Sequence, residues 1–154
     1  MMDRDKLKRL GERAIACLGW RWVEGMRTLD DELVVYVTPP GSEWVGPPAG
    51  PRYWIAPMVD LWSAGGSVEE VQTGGSRVVL PNLVHPTTAG AMLALVRAAW
   101  KDDTLAATYH EGEDDGVAGG WDITAGDFSV LGVQVATEAE ALLLALEFAP
   151  GFEP

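Results

Sequence analysis

Three stretches of this chain repeat their apolar residues at the helical period, and the runs between them are short, β-rich and joined by turns. That alternation limits the fold more than anything else in the sequence. In residues 3–18, Leu7, Leu10, Ala14, Cys17 and Leu18 form one stripe, with Lys6, Lys8, Arg9, Glu12 and Arg13 mainly off it and Gly19 as a stop. Pro86-Thr87-Thr88 opens a second helix through Trp100, with Met92, Leu93, Val96, Ala99 and Trp100 on one face. Thr137-Glu138-Ala139-Glu140 has the spacing of a capping box, in which the hydroxyl and the carboxylate each satisfy an orphan amide. It starts a third helix over 138–148, with Leu142, Leu143 and Leu146 toward the core and Pro150 as the stop.

Between the helices, Leu33-Val34-Val35-Tyr36-Val37 is the clearest strand of the first half, and Tyr53-Trp54-Ile55 is a shorter one. Ser76–Leu80 reads either as a strand or as an extended lead into Pro81. Residues 105–110 and 120–124 are strands joined by the acidic, glycine-bearing connection 111–119, and 128–135 is a third extended segment. These links look like hairpins rather than helical crossovers. The expected class is therefore α+β, an antiparallel or mixed sheet packed with about three helices in the order α-β-β-α-β-β-β-α. A chain of 154 residues fits one domain over 1–154. Residues 39–51, with five prolines and three glycines around Glu43-Trp44-Val45, form an irregular loop within it.

Charge narrows the function. Residues 1–101 hold 11 basic and 11 acidic side chains, whereas residues 102–154 hold 12 acids and no base, so the formal charge of −12 belongs to the last third. Phosphates would be repelled there, which argues against direct nucleic-acid binding through that part. No apolar run approaches the ~18 residues that span a bilayer, and the charged start Met1-Met2-Asp3-Arg4-Asp5-Lys6 lacks a signal core. A single cysteine, Cys17, excludes an intrachain disulfide. Together these place the protein in a cytoplasm, with no membrane partner.

Three motifs in order carry a resemblance. Leu18-Gly19-Trp20-Arg21-Trp22-Val23 follows the first helix, Leu80-Pro81-Asn82-Leu83 leads into the second, and Ala136-Thr137-Glu138-Ala139-Glu140-Ala141-Leu142 starts the last. In these the chain resembles the phage ABA sandwich domain family of small phage and prophage proteins; residues 39–75 carry no part of the resemblance. The family name implies strands with helices packed around them and brings no shared catalytic residue. The resemblance also implies a phage or prophage origin, hence the host's cytoplasm, and by class analogy a role in binding host machinery.

The chemistry-bearing patterns are few. Glu111, Glu113, Asp115, Gly116 and Asp122 fall on positions 1, 3, 5, 6 and 12 of a calcium-loop template. Position 1 is Glu, position 12 is the short Asp, position 9 is Gly119 and the flanks read as strands, so a solvated hairpin connection is the better reading. His85 precedes Pro86 and reads as a helix-start residue, His110 as the end of a strand, and Cys17 as a structural thiol. No zinc spacing, phosphate-binding glycine loop or Gly-x-Ser-x-Gly elbow is present. The expectation is a protein that is not an enzyme, with no catalytic residue, no cofactor and no metal.

What remains is the acid set Asp102, Asp103, Glu111, Glu113, Asp114, Asp115, Asp122 and Asp127, with Trp121 as an anchor beside Trp100 and Tyr109. Exposed carboxylates contribute about 0–1 kcal/mol per pair but accelerate encounter, so specific affinity needs aromatic anchors nearby. The same acids would also serve solubility alone. The functional expectation is an acidic phage-encoded protein acting stoichiometrically on a host protein with a basic surface. An inhibitor of a nucleic-acid-binding or defence complex, anti-CRISPR-like, fits that description. The alternative is a module that binds or sequesters a small molecule or nucleotide signal, with a pocket in the loop at 39–66 and its tryptophans.

Overall fold

The computed structural model describes residues 3–17, 19–37, 52–57, 69–72, 78–112 and 119–150. Helix α1 (Arg4–Ala16) begins where the Asp3 carboxylate accepts the Lys6 N–H at 2.8 Å, and it buries Leu10, Gly11 and Ala14. Strands β1 (Glu32–Val37), β2 (Arg52–Pro57) and β3 (Glu69–Gln72) form an antiparallel sheet in that order. Residues 25–28 fold back on the start of β1 across a turn at 29–31: Gly25 N–H donates to Val34 O and Val34 N–H to Met26 O, both at 2.9 Å. In that turn Asp31 takes the left-handed conformation, with φ 59°.

Helix α2 (Pro86–Trp100) has His85 as its N-cap, the ring Nδ1 accepting the Thr87 N–H, and proline in the first turn, where its missing N–H costs nothing. It ends at Lys101 in the left-handed conformation. Thr88, fully buried, ties the helix to the segment before β1 by accepting the Arg27 N–H at 2.8 Å. The second sheet is β4 (Leu105–His110), β5 (Gly120–Ala125) and β6 (Phe128–Ser129), again antiparallel in chain order. Helix α3 (Glu138–Glu147) follows, its N-terminus capped by the Thr137 hydroxyl, which accepts the Glu140 N–H at 3.2 Å. The α+β class is what the chain forms, and helices and strands alternate as predicted, with one further strand, β3, before α2 and the strands divided between two antiparallel sheets.

The differences have physical causes. β3 carries no strand pattern in the sequence, because Glu69-Glu70-Val71-Gln72 has a single apolar residue; Val71 is buried, and pairing with β2 makes the strand. Residues 78–80 take the second of the two readings given for Ser76–Leu80: they are unpaired in a ladder, and Leu80 O accepts the Leu29 N–H before Pro81 bridges to Thr28. The extended segment expected over 128–135 leaves the sheet after Val130, whose N–H still reaches Ile123 O; the Ser129 hydroxyl accepts the Gly132 N–H, and the chain rejoins β5 at Val135. Gly132 has φ 71°, a conformation that costs glycine little. In the capping box the hydroxyl half is made, while the Glu140 carboxylate pairs with Lys6 Nζ at 3.0 Å.

One cluster of buried residues joins both sheets and all three helices, from Leu10, Trp22, Met26 and Ile55 to Met92, Leu105, Ile123 and Leu142. Trp22 stacks on Tyr53 with ring centroids 4.9 Å apart, and Trp20 meets Trp22 edge-on. Leu142→Ala should cost about 2–5 kcal/mol of unfolding free energy, since that side chain is wholly enclosed. Phe148→Ala, at an exposed ring, should stay within about 0.5 kcal/mol in the same urea titration.

Candidate partner-binding surface

The register of β4 and β5 decides where the expected site residues go. Leu105 pairs with Ala125, Ala107 with Ile123 and Tyr109 with Trp121; these residues share the sheet face that packs on α2 and α3. Thr108, His110, Asp122 and Thr124 share the other face. There the Thr108 and Thr124 hydroxyls are 2.8 Å apart, and Asp122 Oδ1 accepts the Ile123 N–H at 2.7 Å. His110 Nε2 stands 3.9 Å from Asp122 Oδ2. Asp122 is only 4% exposed, so it is an interior group of this polar face and offers no carboxylate to a partner. Sequence reasoning counted it among the surface acids because a strand of Trp-Asp-Ile-Thr does not reveal which of its faces is covered.

The remaining acids occupy opposite ends of the second sheet. Asp102 and Asp103 precede β4, and Asp127 lies in the turn after β5, whose end Ala125 pairs with the start of β4. Glu111 stands beyond the other end of β4. A six-residue strand separates the two groups by roughly 17–20 Å. Asp103, Glu111 and Asp127 are exposed and have no basic partner among the described residues. Asp102 is committed locally: its Oδ1 accepts both the Thr104 hydroxyl (2.6 Å) and the Thr104 N–H (2.9 Å), and these bonds hold its carboxyl below the usual carboxylate range. Glu113, Asp114 and Asp115 lie outside the described residues.

Not all of the terminal charge is available. Lys6 engages Glu140, and the Arg13 guanidinium engages Glu147, so α1 neutralises two acids of α3. Among the described residues the acids of the set thus form two separated groups, with a buried carboxylate between them and a partly compensated helix alongside.

Trp121 is half-buried against the core and meets Tyr109 edge-on at 5.6 Å. Tyr109 is 53% exposed and so offers more aromatic surface than the tryptophan beside it. Trp121 also lines an open groove of about 240 Å³ with Leu83, Val84, Ala89 and residues 136–139, which lead into and begin α3. Gly120 is required by the close approach of residues 134–135, because a Cβ there would lie 3.0 Å from Val135 O and 2.9 Å from the Gln134 Cβ.

Glu111 and Asp122, ends of the calcium template, sit at an exposed strand end and inside a strand; Glu113, Asp115 and Gly116 lie outside the described residues. Among the described residues no group of three His, Cys, Asp or Glu side chains could hold a metal ion. No helix of the described residues is long and apolar enough to cross a membrane. Of the loop at 39–66 only 52–57 is described, and it is strand β2, where Trp54 packs against Tyr36 at 5.0 Å. Trp44 and Trp62 lie outside the described residues.

Cys17 closes α1, donating its thiol to Arg13 O at 3.3 Å. Partial burial, reinforced by Glu147 and opposed by Arg13, pushes the thiol up from 9.0 to about 11. Comparison with known proteins finds no matching family model, no matching curated protein and no matching solved structure.

Two titrations follow from these environments. Thr104→Val should raise the Asp102 carboxyl toward the ordinary range, read by carbon NMR; an unmoved titration would reject the hydroxyl as its cause. The raised Cys17 value means that the folded state holds the thiol proton more tightly than the unfolded state. Its contribution to stability is complete below the ordinary thiol range and is lost as the pH climbs through about 11. Cys17→Ala should flatten the unfolding free energy against pH between pH 8 and about 11.

Proposed function

We propose that this chain is a non-catalytic binding protein that acts stoichiometrically on a protein with a basic surface, through the second sheet. The observation that carries the proposal is the end of the β4–β5 hairpin. There the exposed Tyr109 ring lies against Trp121, and Glu111, two residues on, has no basic partner among the described residues. In sequence, the connection from that point adds Glu113, Asp114 and Asp115. An aromatic anchor beside same-sign charge is the composition of a protein contact: the charge speeds encounter, and the ring supplies desolvated area.

The resemblance to phage ABA sandwich proteins, which rests on the three motifs alone, suggests the setting: a phage-encoded inhibitor in a host cytoplasm. Its target would be a nucleic-acid-binding or defence complex, as for an anti-CRISPR factor. A cleft that receives nucleic acid has the complementary positive field. The small-molecule alternative draws little support from the groove beside Trp121, which at about 240 Å³ is smaller than the ~300–1,000 Å³ of ordinary ligand sites and is open to solvent.

The test is kinetic. A basic partner isolated on the immobilised protein should bind the fourfold variant Glu111→Gln, Glu113→Gln, Asp114→Asn, Asp115→Asn with an association rate at least ~10-fold lower at low salt. The salt dependence of that rate should flatten, with dissociation changed less. Equal association rates for the two proteins would end the electrostatic reading. A tryptophan fluorescence response to a metabolite panel would favour the alternative.

A further inference from the structure

Among the described residues, the backbone of the second sheet leaves the β4 edge open. Trp121 exchanges both main-chain hydrogen bonds with Val135, and Ile123 O accepts the Val130 N–H, so Trp121, Ile123 and Ala125 direct their backbone groups away from β4. Gly120, Asp122 and Thr124 must then be the residues of β5 that bond to β4, through His110, Thr108 and Ala106. By the same alternation Leu105, Ala107 and Tyr109 turn their N–H and C=O groups outward. Arg97 Nε confirms the phase by donating to Leu105 O at 2.8 Å from the outer side. The outward groups of Ala107 and Tyr109 have no main-chain partner among the described residues.

Proteins usually protect such an edge with lysine, proline, a bulge or an inward charge. β4 has none of these: Leu-Ala-Ala-Thr-Tyr-His carries no lysine or carboxylate and no proline, and its register with β5 is unbroken over all six pairs. The side chains flanking the open groups, Ala106, Ala107 and Thr108, are small, and Tyr109 is exposed beside them. The ends are different, with Asp102 and Asp103 before the strand and Glu111 after it.

We infer that the edge of β4 accepts an extended segment of the partner as an additional strand, and that this segment carries Lys or Arg at both ends of a short uncharged run. The inference rests on the proposed function and identifies the kind of partner surface. Main-chain bonds to Ala107 and Tyr109 supply affinity, and the acids at the two ends select basic flanks. A second copy of this chain is disfavoured as occupant. Paired edge to edge in either direction, it would set Asp102, Asp103 and Glu111 against acids of the other copy.

The probe is a fluorescein-labelled peptide, Lys-Lys-Val-Thr-Val-Thr-Lys-Lys, added to the full chain. It should bind, and in amide hydrogen exchange Ala107 and Tyr109 should gain protection while Thr108 and His110, already paired with β5, should not change. Ala107→Pro removes one outward N–H and leaves the β5 ladder intact, and an edge strand tolerates proline there. It should weaken binding about tenfold with an unchanged circular dichroism spectrum. Should that variant misfold, the same peptide N-methylated at alternate residues replaces it, and it should bind no better than a scrambled control. A Glu-flanked peptide should not bind at all.

Tight binding of the lysine peptide by Ala107→Pro and by the wild type alike, or retained binding of the N-methylated peptide, would overturn strand addition while leaving the charge-based reading intact. No binding of the lysine peptide at any ionic strength, together with salt-independent binding of the isolated partner, would overturn both. A wild-type dimer in sedimentation that Ala107→Pro converts to monomer would replace the partner segment by a second copy.

Discussion

Burial of α3 is the constraint on which the rest of the structure depends. Ala139, Ala141, Leu142, Leu143, Ala145 and Leu146 are all buried, which leaves this ten-residue helix almost no wet face. It touches α1, α2, β4 and β5, and the Trp100 indole fixes it further by donating to Ala145 O at 2.7 Å. A helix enclosed on so many sides must bring its polar residues to the ends and to one narrow line. Glu140 and Glu147 occupy that line, and Lys6 and Arg13 of α1 meet them there. The packing of the last helix therefore dictates which carboxylates of the acidic third are already spoken for.

This is also why the charge distribution in the sequence was a partial guide. Counting side chains locates the negative charge in residues 102–154 but cannot show that α1, more than a hundred residues earlier, returns to compensate part of it. Nor can it distinguish a carboxylate at a strand end from one inside a ladder, which is the difference between Glu111 and Asp122. Period-two alternation tells which residues share a face; whether that face is wet depends on elements distant in the chain.

The helices were legible because their signals are local. Asp3, His85-Pro86 and Thr137 sit at the three starts, and each side chain accepts a backbone N–H within its own first turn. The paired strands 33–37, 53–55 and 120–124 were legible for a related reason, β-branched or aromatic content between turn residues, and 105–110 by its place between the end of α2 and the glycine-bearing connection. β3 was hidden because its stability is borrowed from β2, and the break after Val130 was hidden because it depends on a side-chain hydroxyl meeting one amide. Where pairing rather than composition forms the element, a single sequence holds little trace of it.

The openness of β4 belongs to the same logic. Its outer residues are legible in the sequence as small and uncharged, but only the bonds of Trp121 and Ile123 to the segment 130–135 establish that β5 is the central strand and β4 an edge. A protein with a formal charge of −12 has acids to spare for an exposed edge, and it places them at the ends of β4 rather than within it. Charge inside the strand would repel every incoming chain, whereas charge at the ends repels acidic strands and draws basic ones. The arrangement thus separates the two tasks of a recognition edge: the neutral middle permits pairing, and the anionic ends select what pairs.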